Sequence, residues 1–394
     1  MNARMLRIGM IGIGGMGHAH LETIRTFHHA GRCRFVAIAD PTAVRFPDAL
    51  AALDWESVAH YDDYRNLIAR NDIDAVIIST PIHLHARQTI DSLTAGKHVY
   101  LEKPPCATTG EYEQLDAARR ASGKICAIGF QMQAAPVYRF IKEIVASGKI
   151  GDLTHIWAAA SWPRDDSYYA RTSWSGRMTV GGAPVFDGPA TNACAHAVHA
   201  AMVIAGAPVR VRGSLKRARP IESYDTAFVE AESETGINVR LFLTHASTKE
   251  YGPRMYFRGT CGHAWFDWNM NAAVTQDGGE TVQYAFPYQP MMAIMTDFFD
   301  AIEQSGEPAT SLCDTLPYLQ TVNGALKSGD GITSFAASLV SAVTPNTPQQ
   351  TYVVAGLDDE VAAFATDPSA VPSLVYPGKW VGVGEIDPAP VQLR

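Results

Sequence analysis

The rhythm of apolar positions changes about a third of the way along the chain. Leu6–Ile11 is a short unbroken apolar run, as expected of a strand covered on both faces. Helical spacing follows over Met16–Phe27. Further apolar runs recur at Arg34–Ala39, Asp74–Ser79, Lys97–Leu101 and Lys124–Gly129, the last preceded by a helical stretch over Gly110–Ala121. Strands alternating with helices predict βαβ units and one parallel, doubly wound sheet.

Beyond Phe130 the pattern differs. A helix over Ala135–Ser147 leads through Gly148–Gly151 to strand-like runs at Leu153–Ala160, Ala227–Glu234, Asn238–His245, Arg254–Gly259, His263–Asp267 and Ala273–Gln276. Several alternate polar with apolar residues, as an antiparallel sheet with one covered face does. Thr260–Gly262 predicts a hairpin turn, and helices are expected at Asn192–Ile204 and Met291–Gln304. The expected architecture is an α/β domain over 1–130 and an α+β domain, mainly antiparallel, over 131–350. Residues 351–394, rich in Pro and Gly towards their end, read as an arm packing back on the body or on a neighbouring subunit.

Composition narrows the function classes. A chain of 394 residues calls for more than one core, and 47% hydrophobic with 18% charged residues describes a globular protein. A net charge of −8 without a basic block argues against nucleic-acid binding. The six cysteines are scattered with no CxxC pair, so neither a disulfide scaffold nor a metal site is expected. No segment approaches the ~20 apolar residues that span a bilayer, and the short apolar start is broken by glycines. A cytoplasmic protein is expected.

Gly12-Ile13-Gly14-Gly15-Met16-Gly17 stands between the first strand and its helix. Gly12 allows a tight turn, Gly14 lets backbone approach a pyrophosphate, and Gly17 lets helix pack on strand. The helix start, from Gly15 and Met16, then offers N–H groups to phosphate. Asp40 ends the next strand, where a carboxylate binds adenosine ribose hydroxyls and repels a 2′-phosphate. That favours NAD; Arg45 nearby keeps NADP open.

Two more segments end strands of the same sheet, where ligands of open α/β sheets bind. Thr80-Pro81 could lie along the nicotinamide ribose, and His85 reads equally as a cofactor contact or as a histidine paired with a backbone carbonyl. Glu102-Lys103-Pro104 places a lysine beside the expected nicotinamide. Burial and like charge would there lower its pKa into the range of general acid/base work. The Lys-Pro bond is a candidate cis peptide.

"IGMIGIGGMGHAH", "STPIHLHA", "GKHVYLEKP" and "GFQMQAAPVYRFIKEIVASGKIGDL" together resemble, in order and spacing, the signatures of the Gfo/Idh/MocA oxidoreductase family. The resemblance implies a Rossmann domain, an α+β domain with a large open sheet, and NAD(P)-dependent chemistry on sugars and polyols. The family's catalytic lysine maps onto Lys103. Its helical Asp…His signature maps onto Asn192 and His196, with Asp187 upstream and His199 one turn on. On an α-helix, Asn192, His196 and His199 would form one polar stripe. His196 reads as catalytic and His199 as a buried, satisfied histidine.

Asn192 replaces the family's usual Asp, so Asp187 becomes the candidate carboxylate. Gln133 stands where an arginine often does, which makes that end less positive. Both departures turn the expectation from free polyols towards glycosides or other derivatised sugars. Arg164, Arg171, Trp174 and His245 are candidate sugar contacts, since sugars need flat apolar faces beside bidentate polar groups.

The leading expectation is hydride transfer between a secondary hydroxyl of a sugar or glycoside and nicotinamide, with Lys103 or His196 as base and Asn192 and Asp187 positioning the ring. The same residues would serve an NAD-dependent glycosidase that oxidises C3 transiently and eliminates the aglycone. A non-catalytic dinucleotide-binding protein would keep the glycine turn and lose Lys103 and His196. The open sheet face is expected to be apolar enough to pair subunits as a homodimer or homotetramer.

Overall fold

In a computed structural model the chain divides into two compact units. The structure describes residues 5–43, 58–287, 290–329, 331–344, 349–367, 369–376 and 378–386.

The first unit comprises 1–106, 110–135 and 289–313. Strand β1 (Leu6–Ile11) leads through the glycine turn to helix α1 (Met16–His29), then to β2 (Cys33–Ala39) and β3 (Ala59–Tyr61). Next come α2 (Tyr64–Ile68), β4 (Ala75–Ile78), α3 (Ile82–Thr94), β5 (His98–Leu101), α4 (Thr109–Ser122) and β6 (Cys126–Ile128). All pairings are parallel, in the order β3-β2-β1-β4-β5-β6. This is the doubly wound order whose reversal beside β1 opens a crevice at the strands' carboxyl ends. Apart from the edge strand β3, the strands are almost wholly buried, as runs such as Ala75-Val-Ile-Ile78 require of a sheet covered on both faces.

The helix Pro290–Gln304 belongs to this unit, packing Met295, Phe298 and Phe299 among Ile24, Phe27 and Tyr100. The expected second domain over 131–350 is therefore interrupted by 289–313, and its start moves to Pro136. An amphipathic pattern shows that a helix buries a face but not against which core.

The second unit opens with α5 (Pro136–Ala146), β7 (Leu153–Ser161) and α6 (Asp166–Ala170). The hairpin β8 (Thr179–Val180) and β9 (Ala183–Pro184) precedes α7 (Ala195–Ala205). A run of strands follows: β10 (Pro208–Arg217), β11 (Thr226–Ser233), β12 (Asn238–Thr244), β13 (Tyr251–Gly259), β14 (Gly262–Asp267), β15 (Asn271–Gln276) and β16 (Thr281–Ala285). With β17 (Ile332–Ser334) they make one sheet, β16-β15-β14-β13-β7-β12-β11-β10-β17, mixed but mostly antiparallel. The helix α8 (Leu316–Ser328) lies on β10 through two glycines. A Cβ on Gly213 would meet Ala325 Cβ at 2.7 Å, and one on Gly324 would meet Val211 Cβ at 2.8 Å.

The final segment is not an extended arm throughout. After β18 (Val340–Val343) and β19 (Thr351–Val354), the helix α9 (Leu357–Thr366) buries Leu357, Val361 and Phe364 on Trp157, Phe228 and Phe242 of the large sheet. A short strand, β20 (Val381–Gly382), pairs with β10. One end of the sheet's outward face is thus covered by the chain itself. Beside α9 a row across six strands reads Trp265, Tyr256, Trp157, Arg240, Glu230, Arg212, aromatic at one end and charged at the other. These residues help line a groove of about 950 Å³.

Candidate functional site

In the first unit the glycine turn is dictated by space. Gly12 has φ 84°, and a Cβ there would stand 2.6 Å from the Ser79 carbonyl oxygen and 2.7 Å from Thr80 Cγ2. A Cβ on Gly17 would meet the Gly12 carbonyl oxygen at 2.7 Å. Gly15, with φ 56°, faces open space, and the exposed Met16 begins α1 without a side-chain cap. With half-buried Gly14 beside them, the first amides of α1 suit an anion.

Asp40 joins this turn directly. Its Oδ2 accepts the Ile13 N–H at 2.9 Å, while Oδ1 accepts from the Thr42 N–H at 2.7 Å and hydroxyl at 2.8 Å. A carboxylate offers about four acceptor positions, so capacity for a ribose hydroxyl remains. Arg45 lies outside the described residues.

Lys103 is half-buried just past β5, and its backbone is held on both sides. Glu102 accepts the Lys103 N–H at 3.1 Å through Oε2, while its Oε1 lies 2.7 Å from His20 Nε2. His20 and Glu102 are buried, in space left by Gly129, whose Cβ would come within 3.1 Å of Glu102 Oε1. On the far side, His85 Nδ1 lies 2.7 Å from the Pro104 carbonyl oxygen and Nε2 lies 2.7 Å from that of Thr80. Burial lowers the His85 pKa, against the two carbonyls that favour its protonation. Of the two readings of His85, the geometry matches the backbone-paired one, and it ties the Thr80-Pro81 loop to Lys103-Pro104. The Lys103-Pro104 bond is cis. The Thr80 hydroxyl donates to Gln88 Oε1 at 2.6 Å.

In the second unit Asp187 is buried and committed: Oδ1 accepts from Asn192 Nδ2 and Oδ2 from the Gly176 N–H, both at 2.7 Å. The expected α-helical stripe does not hold. Pro189–Ala193 is a π-helical turn, and the Cys194 N–H reaches the Pro189 carbonyl at 2.7 Å. Asn192 therefore sits before α7 and turns back to Asp187, while His196 and His199 lie on α7 itself. His199 is fully buried, hydrogen-bonded to the Asp314 backbone and edge-on to Tyr318. Burial, then His196, pushes its pKa down to about 3.

Around Tyr168 the predicted sugar contacts converge. Arg171 Cζ stands 3.7 Å from the Tyr168 ring centre and 5.9 Å from that of Trp174. Arg164 Cζ is 5.0 Å from Tyr168. His245, buried just after β12, is edge-on to Tyr168 with Nδ1 3.2 Å from the Tyr169 hydroxyl. Burial, then the charges of Arg164 and Arg171, pushes the His245 pKa down to about 3. Burial, then Asp187, pushes the Tyr168 phenol up to about 12.

Sequence reasoning missed His20, Tyr168 and Tyr169. His20 carried a signal, a polar residue on the apolar face of α1. Tyr168 and Tyr169 stand between Arg164 and Arg171 in the sequence, on the short helix α6. Gln133, in the turn Gln131–Ala134, is buried in the first unit.

The parallel sheet, its glycine turn and the appended α+β unit define an oxidoreductase of the dinucleotide-binding class. The chain belongs to the Gfo/Idh/MocA family: the description "Oxidoreductase family, NAD-binding Rossmann fold" matches residues 6–130, and "GFO/IDH/MocA C-terminal domain" matches 138–265. Inositol 2-dehydrogenase of Salmonella typhimurium is 34% identical over 149 residues, 37% of this chain and 43% of that one. The match thus spans less than half of that relative's length. The dTDP-3,4-didehydro-2,6-dideoxy-alpha-D-glucose 3-reductase of Streptomyces violaceoruber is 27% identical over 256 residues, 59% of this chain and 71% of that one. Levoglucosan dehydrogenase in complex with NADH superposes with a TM-score of 0.72 at 20% identity, covering 82% of this chain and 96% of that one. At that identity the likeness is one of fold. Among the described residues no helix is long and apolar enough to cross a membrane.

Proposed function

We infer that the chain oxidises a secondary hydroxyl of a sugar or derivatised sugar with NAD, or runs the reverse reduction. The observation that supports this most is Lys103: a half-buried lysine whose neighbouring residues are fixed by His20–Glu102 and His85 in the unit that carries the glycine turn. A surface lysine needs no such framework.

The glycine turn and the first amides of α1 hold the pyrophosphate, and Asp40 takes the adenosine ribose hydroxyls. Asp40 sits where a 2′-phosphate would meet its charge, which favours NAD over NADP. Thr80 and Pro81 border the nicotinamide ribose through backbone, since the Thr80 hydroxyl is used by Gln88. Bound nicotinamide supplies a hydride acceptor. As the carbinol carbon is oxidised to a ketone, its hydroxyl proton passes to Lys103 or His196. In the reverse direction the same groups return the proton. Asn192, held by Asp187, orients the sugar, and the Lys103 ammonium stabilises the developing alkoxide.

Lys103→Ala should lower kcat by about 10²–10⁴-fold, the usual worth of a positioned acid/base, with NADH binding, followed by fluorescence, retained. Near-normal kcat would remove Lys103 from the chemistry. The relatives named above, a sugar-alcohol dehydrogenase and a sugar reductase, support the substrate class.

A further inference from the structure

The second unit contains two guanidinium groups that no carboxylate contacts among the described residues. Arg164 and Arg171 stand over the same tyrosine ring, and neither forms an ion pair among the described residues. The neighbouring Arg219, by contrast, is paired with Asp166. Arg164 Nε is buried without a hydrogen-bond partner, and Arg171 Nε has only a 3.4 Å contact with the Ser175 hydroxyl. His245 Nε2, beside the same ring, is also buried without a partner. Buried polar groups in native structures are almost always satisfied, so two unsatisfied buried nitrogens at one ring, Arg164 Nε and His245 Nε2, with the exposed Arg171 guanidinium over the same ring, point to a ligand.

The charge balance indicates which ligand. Asp187 acts electrostatically on Tyr168, but it already accepts from Asn192 and the Gly176 N–H. Neither guanidinium is in contact with a carboxylate among the described residues, so the pair offers positive charge to an anionic ligand. A planar guanidinium fork is also the natural partner of a carboxylate, which it can bind bidentately.

We propose that Arg164 and Arg171, over Tyr168, bind a carboxylate of the substrate, so that the sugar oxidised is a sugar acid. This rests on the dehydrogenase reading above and replaces a neutral glycoside with an acid-bearing ring or chain. His245 stays neutral beside the two arginines and so adds no third charge to the subsite.

The test measures NADH formation with glucuronate, galacturonate and gluconate, each against its neutral amide, and with glucose and glucose 6-phosphate. At least one acid should exceed its amide by about 100-fold in kcat/KM, the effect of leaving a partly buried charge partner empty. For that acid, Arg171→Ala should raise KM by roughly 30-fold, with Arg171→Lys recovering part of the loss. NADH affinity and a thermal melt establish that each variant is folded. Equal turnover of acids, amides and glucose would overturn the acid subsite and leave the dehydrogenase reading standing. A preference for glucose 6-phosphate over every acid would overturn the carboxylate assignment. Calorimetry of the acids on wild type and Lys103→Ala in the presence of NADH separates the two claims. Binding without any wild-type turnover would support the subsite and sink the dehydrogenase reading, whereas failure of all three acids to bind would sink the subsite.

Discussion

At the carboxyl end of β1 the functional geometry is written in backbone. Gly12, Gly15 and Gly17 are present because a Cβ or a negative φ cannot be accommodated, and Asp40 braces the turn by accepting a main-chain N–H. Around Tyr168 the geometry is written in side chains, with two arginines over one ring and a buried histidine at its edge. The first kind of site is common to every dinucleotide ligand, because pyrophosphate is read by amides and a helix end. The second can be retuned one side chain at a time, and we propose that substrate identity is set there. One chain thus carries a fixed half and an adjustable half.

The comparison breaks most readily at Gly12. Gly12→Ala places a methyl against the Ser79 carbonyl at 2.6 Å and forces a left-handed φ of 84° on alanine. The φ alone costs roughly 1–2 kcal/mol and the overpacking about 1–3 kcal/mol, so NADH affinity should fall by about 100-fold or more. Titration by fluorescence measures it. Acid binding around Tyr168, read by calorimetry, should survive if the second unit remains folded. Wild-type NADH affinity in Gly12→Ala would show that the turn does not contact the cofactor.

The next test lies within the backbone half. His20→Phe removes the partner of Glu102 Oε1 and leaves a buried carboxylate with one fewer contact. The cost should be on the order of 1–3 kcal/mol of stability. If Glu102 positions Lys103, kcat should fall about 10-fold, with the pH–rate profile displaced and KM nearly unchanged. His20→Gln, which keeps an N–H donor, should restore part of kcat. A loss of stability with an unmoved pH profile would make the pair structural only.

Legibility in the sequence followed the same division. β1 was readable to the residue, and the turn and Asp40 with it, because each position there answers to a backbone requirement that one residue type meets. The pairing of β10 with α8 was not readable. Gly213 and Gly324 look like breaks in their elements, yet each is the gap through which the other element approaches. The Asn192 stripe failed for a related reason, since residue spacing assumes 3.6 residues per turn and a π turn follows Pro189. Tyr168 was hidden differently. It lies in α6, a helix of five residues and too short to show a periodicity, and only the fold shows which ring two arginines share.

The last effect concerns protons in the side-chain half. His245, with a folded-state pKa of about 3, is far below the ~6.5 of an unfolded histidine. The unfolded chain therefore binds its proton first as pH falls. The stability this group contributes is complete above pH ~6.5 and is lost on acidification towards 3, by up to ~1.4 kcal/mol per pH unit. His199, also near 3, acts in the same direction. Asp225, whose pKa burial raises to about 6, acts oppositely: its contribution is present below its unfolded value of ~3.9 and disappears as pH rises through 6. Urea denaturation of wild type and His245→Phe, compared at each pH, isolates the one histidine. The stability difference, wild type minus variant, should shrink by about 1.4 kcal/mol per unit between pH 6 and 4. A difference that stays flat with pH would mean that His245 accepts a proton beside Arg164 and Arg171, and the subsite would then carry one more positive charge than its geometry implies.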